Sequence, residues 1–520
     1  MKENLKQYDE GGEMATGFTK EEEFINNLGE RSFLKFWAWP NLFRDQGKTN
    51  NGDGKEICDL TVIFGNDILL FSDKKIKFNE DKKLDIGWSR WARRAIGDSI
   101  KQIKGATRWY TKSPDRVYVD KVCQKKLPVK IPSSDEVKFH NIVVCHGIEQ
   151  HIETHNSEAS FFIDNSLKGE QNWNIEHAKP FTIGEINEDG FVHVFNEATV
   201  KLVLEEFDTA HDFINYLKLR ERVISYTDNV FIKSESDLIQ LFYENFDNDR
   251  NIYWLDIEKL KKNSGLKIDK GGIEKLYSNP YFLEKKRHDK VSYFWDGLID
   301  SFSFHILNGT SERNNWESPS DIEPCLRQMA ETTRFERRFL ADGFLNFYYK
   351  ALPGQRGTRI LLDPRDPELA YLFLVVPNTV GSLSKTQYRE MRLQMLTDYC
   401  QFSKLNHPSL KAVIGVACET RNDDRPLTDT FFQQGQDYVF CDFSEWDEEQ
   451  EIEAKIVQKE YIANGLLSKR KMFHGKVNEF PEDINNPRKS MKVSEMKGTD
   501  RNKLCPCGSQ RKFKKCCGNI

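Results

Sequence analysis

The segment CDLTVIFGNDILLFSDKK, residues 58–75, constrains this chain more than any other. Two apolar runs are separated only by Gly65, Asn66 and Asp67, the pattern of two strands joined in a hairpin. The second run, Ile68-Leu69-Leu70-Phe71, has no polar interruption. Such a run reads as a central strand buried on both faces, which predicts an α/β layout. Three charges, Asp73, Lys74 and Lys75, end it, and Asp59 stands near the start of the first strand. Residues two apart on a strand share a face. Asp73 and Lys75 therefore lie together, and the hairpin brings Asp59 beside them. Two close carboxylates hold Mg²⁺ or Mn²⁺ through oxygen while leaving waters in place. A neighbouring lysine then orients or deprotonates a bound water, or steadies charge developing on a phosphate. The bland counterpart is a solvated turn, but charges ending a buried strand opposite another acid ask for a reason.

The surrounding sequence supplies helices and further strands. Residues 18–39 predict a helix with Thr19 as N-cap and Glu21, Glu22 and Glu23 in its first turn, ended by Pro40. A long helix is predicted over 89–109, strands over 141–145 and 191–196, and a closing helix over 201–224. Residues 225–333 are dense in aromatics and charges and read as a helical connecting region. A second α/β region occupies 334–465, with helices over 335–351, 387–402 and 448–464. Its strands fall at 358–362, 369–376, 410–418 and 438–443. Both regions run helix, strand, strand, long helix, strand, an order that ordinary α/β chains also produce. Residues 466–502 are polar and read as a linker.

Asp59, then Asp73-Lys74-Lys75 on a hairpin, flanked by helices in this order, resembles the PD-(D/E)xK, or restriction-endonuclease-like, nucleases. The resemblance spans about residues 17–150. It implies a Mg²⁺- or Mn²⁺-dependent nuclease with Asp59 and Asp73 on the metal and Lys75 beside the attacking water. It further implies a helper glutamate from the first helix, for which Glu23 ranks above Glu30 and Glu56. A polar residue on the long helix near the metal would be Gln102. Two departures stand out. Cys58 occupies the position of the family's proline, and the third strand before the long helix has only a weak counterpart at Lys77-Phe78.

On that long helix Arg90, Arg94, Lys101, Lys104 and Arg108 recur at helical spacing and form one basic stripe. Ala92, Ile96, Ile100 and Ile103 form the opposing apolar stripe. A basic stripe beside a two-carboxylate site suits a phosphate backbone, with a solvated helix face as the plain alternative. Trp88, Trp91 and Trp109 offer stacking surfaces, although packed core tryptophans are the more usual reading. His140 and His146 flank the strand ending in Cys145 and could touch the site from that adjacent strand, although satisfied structural histidines are the more usual reading. His151 and His155 lack the glutamate position of a zincin. The acidic run from Asp363 to Glu368 has no following Asp-x-Lys.

The net charge of −5 over 520 residues excludes a uniformly basic coat protein. The charged N-terminal stretch, MKENLKQYDEGGE, and the absence of a long apolar run predict a soluble, cytosolic protein. Seven scattered cysteines read as thiols of a reducing compartment. The other four, Cys505, Cys507, Cys516 and Cys517, match one tetrahedral Zn²⁺ with ligands at about 2.3 Å. Pro506 and Gly508 suit the knuckle. Bound metal stabilises a segment too short to build its own core, and a closed four-thiolate site is structural. With Ser509, Lys512, Lys515 and Gly518, these residues resemble the SEC-C motif, a zinc-binding module found at the C-terminus of a translocation ATPase and of unrelated bacterial proteins. No phosphate-binding Gly-x-x-x-x-Gly-Lys loop occurs, which excludes that ATPase's chemistry. Residues 501–520 carry six Lys or Arg and no acid, so the tail predicts docking on a nucleic acid or an acidic protein surface. The combined expectation is a nuclease, DNA favoured, of the kind linked to bacterial defence. The competing expectation is a non-catalytic zinc-binding adaptor on a protein partner.

Overall fold

The computed structural model describes residues 20–467 and 479–480, apart from 48–51, 157, 228, 248–251, 254, 256–264, 270, 310–318, 352–353, 379–382 and 421–434. The four C-terminal cysteines, most of the predicted linker and the Thr19 cap lie outside the described residues. Two compact units emerge: Asp9–Leu283 with Phe302–Arg334, and Glu284–Ser301 with the chain from Phe335 onward.

In the first unit, helix α1 spans Lys20–Phe33. It stops sooner than predicted because Leu34 enters the left-handed region, at φ 64°. The released segment forms a short strand, β1 (Ala38–Pro40), at the sheet edge, where a proline without an N–H is tolerated. Strands β2 (Leu60–Phe64) and β3 (Asp67–Lys75) make the predicted hairpin, pairing Leu60 with Phe71 and Phe64 with Asp67. Gly65, at φ 58°, provides the positive φ the turn needs.

The chain then crosses over through α2 (Leu84–Ala92), a π turn (Arg93–Gly97) and α3 (Asp98–Lys112). It returns as β4 (Lys138–His146), parallel to β3, with Asp67 opposite Lys138 and Lys75 opposite His146. Thus β1, β2, β3, β4 and a later strand at Val192–Asn196 form one mixed sheet. Phe71 packs between Phe33 of α1 and Phe213, with ring centroids 6.1 and 6.3 Å away. On the opposite face Thr61 Oγ1 meets Tyr110 OH of α3 at 2.9 Å. Each such buried aromatic contributes about 1.5–3 kcal/mol.

A second sheet was not legible in sequence. It joins β5 (Phe162–Lys168) and β6 (Thr182–Glu185) to two strands from residues predicted to be helical connector. The reason is local. Alternating positions Ile163, Asn165 and Leu167 of β5 are buried, but one of them is an asparagine. Asn165 satisfies its amide inside the core, donating to Ile224 O at 2.7 Å and accepting from Val230 N–H at 2.8 Å.

Strand β7 (Val192–Asn196) then lies parallel to β4. Helices α4 (Glu197–Glu206) and α5 (Ala210–Ile224) replace the single predicted helix. The break falls where Thr209 caps α5, its Oγ1 accepting Asp212 N–H at 3.0 Å. β8 (Val230–Ile232) and β9 (Leu266–Ile268) complete the second sheet, so residues 225–283 belong to this unit.

The second unit follows its sequence closely. Helix α6 (Arg334–Lys350) leads into β10 (Gly357–Leu362) and β11 (Leu369–Val376). Helix α7 (Lys385–Asn406), β12 (Ala412–Glu419), β13 (Asp437–Asp442) and α8 (Glu448–Ala463) complete it. β11 and β12 are parallel, and both outer pairings are antiparallel. Gly415 permits close approach of α7: a Cβ there would lie 2.8 Å from Cys400 Sγ. Among the described residues no helix is long and apolar enough to cross a membrane.

Candidate functional site

Three parallel strands, β3, β4 and β7, end at one edge of the first sheet. Ligands of open α/β sheets gather outside the carboxyl ends of strands, and here those ends carry Asp73, His146 and Asn196 with Glu197. Asp59 reaches the same edge from the hairpin's open end. It lies just outside the β2 ladder, where Cys58 Sγ turns to Thr61 Oγ1 at 3.0 Å. Its main-chain carbonyl accepts Asn41 N–H at 3.2 Å. Its Oδ2 accepts the backbone N–H of Asp73 at 2.6 Å. Lys75 is exposed, two residues beyond Asp73 and on its face of the strand.

The Asp73 carboxylate is fully buried, and its Oδ1 contacts His146 Nε2. His146, with its side chain 2% exposed, turns its other nitrogen, Nδ1, to Glu197 Oε2 at 2.8 Å. Carboxylates thus face both ring nitrogens, an arrangement that favours the charged imidazolium. Burial disfavours that charge, but Asp73 and Glu197 outweigh it and hold the His146 pKa at about 9. Glu197 is the half-exposed first residue of α4. Its position follows from a capping box in which Asn196 accepts Thr199 N–H at 2.8 Å. Phe24 of α1 meets the His146 ring edge-on, with centroids 5.6 Å apart. Burial pushes the nearby Cys58 and Cys145 thiols far up, so neither is a nucleophile at neutral pH.

The other predicted site residues fall at varying distances from this edge. Glu23 is exposed on α1, directly before Phe24. Gln102 meets β3 one residue short of Asp73: its Oε1 accepts Ser72 Oγ–H at 3.1 Å. Ser72 alternates to the opposite face from Asp73, so Gln102 meets this strand on the face turned away from Asp73. His140, near the start of β4, bonds Asp67 at the far end of β3 at 2.6 Å. Trp88, Trp91 and Trp109 are core residues.

A π turn divides the basic stripe. In the π turn, Asp98 N–H bonds Arg93 O, a five-residue step. That extra residue rotates the helix phase between Arg94 and Lys101. Lys101 pairs with Asp98 at 2.9 Å, Lys104 with Glu188, and Arg108 with Asp189 at 3.8 Å. Arg90 and Arg94 are exposed and form no ion pair among the described residues.

The donor set suits a hard divalent cation. Mg²⁺ commonly takes one or two carboxylates and keeps its waters, and Asp59 and Asp73 are two. Among the described residues no group of three His, Cys, Asp or Glu is arranged around a metal position. The full Asp73–His146–Glu197 chain went beyond the sequence reading, which allowed only that His146 could touch the site from the adjacent strand. His146 had only its place at a strand end to suggest a role, and Glu197 had no signal at all.

Comparison with known protein families matches the SEC-C motif to residues 501–519. The chain therefore carries a zinc-binding type of motif at its C-terminal end. No curated protein and no solved structure gave a significant match.

Proposed function

We propose that the first unit is a Mg²⁺- or Mn²⁺-dependent nuclease that hydrolyses phosphodiester bonds, DNA favoured, in the manner of the PD-(D/E)xK enzymes it resembles. One observation carries the reading: the Asp59 carboxylate accepts the Asp73 amide at 2.6 Å, beside Lys75 at the same strand end. Asp59 and Asp73 would hold the metal, which would polarise the phosphate and a water. Lys75 would orient that water or offset charge on the phosphate, and Glu23 would assist from α1. Arg90 and Arg94 would meet the backbone of the nucleic acid. The SEC-C tail, with Zn²⁺ on Cys505, Cys507, Cys516 and Cys517, would hold substrate or a partner close by. Bacterial defence is the setting this combination suggests.

Asp73→Asn should abolish Mg²⁺-dependent cleavage while the protein remains folded by circular dichroism; wild-type activity would sink the proposal. Deleting residues 501–520 should remove one zinc per chain and weaken binding before it slows cutting of short substrates. The neutralised half of the basic stripe favours a second reading, a non-catalytic adaptor working through the zinc tail. That reading gains if neither DNA nor RNA is cut with any divalent metal.

A further inference from the structure

The two-carboxylate scheme leaves His146 and Glu197 without a task, although the fold holds both firmly. We infer that they form an orienting arm for Asp73, fixing its carboxylate at the angle a divalent cation requires. The inference rests on the metal role proposed above and deepens it.

Asp73 stands near a strand end, where the ladder no longer restrains its side chain on every side. Its Oδ1 contacts His146 Nε2. An imidazole alone is a poor guide, because its outer torsion is broad. Here the ring is held twice more. Nδ1 meets Glu197 Oε2 at 2.8 Å, and Phe24 abuts the ring edge-on. Glu197 is itself placed by the Asn196–Thr199 capping box, and its own N–H lies 3.3 Å from Glu149 Oε1. The chain of contacts therefore runs from α4 through β4 to β3. Groups that orient a ligating carboxylate typically contribute 10–100-fold to metal affinity. A purely structural ion pair would support the fold and leave that affinity alone.

The test uses the full-length, zinc-loaded chain. Mn²⁺ binding is measured by calorimetry, alongside thermal unfolding and cleavage kinetics. His146→Leu should weaken Mn²⁺ about 10–100-fold. His146→Gln should recover most of that loss, since its amide N–H replaces Nε2–H. Glu197→Gln, at a half-exposed position that poses little risk to folding, should weaken Mn²⁺ up to about tenfold. The substrate KM at saturating Mn²⁺ should stay unchanged in all three. Affinities within about twofold of the parent, with Asp73→Asn still abolishing binding, overturn the arm. Asp73-dependent Mn²⁺ binding that follows this order without any cleavage overturns the nuclease reading alone. No Asp73-dependent binding at all overturns both.

Discussion

The two units contain the same arrangement at the heart of their sheets: an antiparallel pair, then a long helix, then a parallel return strand. They differ at the edge where the parallel strands end. In the first unit that edge gathers Asp73, His146 and Glu197 beside Asp59 and Lys75. In the second, β11 ends on Val375 and Val376, and Tyr388 OH donates to Val376 O at 2.7 Å. The charges there close on themselves: Arg389 and buried Arg392 both clamp Asp437, at 2.8 and 2.5 Å. One layout thus carries one edge where acids gather around a histidine and another where two arginines clamp a single acid. Chemistry resides in the residues at the edge, not in the layout.

The comparison can be broken in three ways. The largest effect is expected at Asp437. Asp437→Ala leaves Arg392 buried without its partner and should cost about 3–5 kcal/mol in denaturant unfolding. Cleavage per folded molecule should not change. A variant that stays stable but loses activity would show that the second edge also does chemistry.

Next comes Asp342 on α6, a partly buried acid with no histidine arm. Burial raises its pKa from 3.8 to about 6, with Arg338 opposing. The native state then binds the proton more tightly than the unfolded chain, so this residue reduces stability increasingly as pH rises from 3.8 through 6. Asp342→Asn should match the parent near about pH 4 and exceed it by up to about 3 kcal/mol at neutral pH. Equal stability at both pH values would remove the contrast with Asp73.

The smallest effect concerns the basic helix. Replacing Arg90 and Arg94 by Ala should weaken DNA binding and reduce the slope of log affinity against log salt by about one per residue. Lys104→Ala should leave the slope unchanged, because Lys104 already pairs with Glu188. Equal losses would mean that the stripe acts as a whole despite the π turn.

How much could be read in advance depended on the range of the signal. The hairpin was legible because its turn and both apolar runs lie within eighteen residues, 58–75. The second unit was legible for the same reason, each element carrying its own period. The sheet of β5, β6, β8 and β9 was hidden because β8 and β9 are three residues long, too short to show a period. The phase of the basic stripe was lost because nothing in Arg93-Arg94-Ala95-Ile96-Gly97 announces a π turn.

By itself, the sequence determined the hairpin with its terminal charges, the alternation that puts Asp73 and Lys75 on one face, and the cysteine tail that matches SEC-C. These are short-range matters of backbone geometry and ligand spacing. Only the tertiary structure decided that His146 would stand between Asp73 and Glu197, and that Gln102 would not join them. Parallel strands bring together residues from separate stretches of chain, and the crossover helix sets which strand ends lie side by side. A pairing made across such a crossover leaves no mark on the residues around either partner.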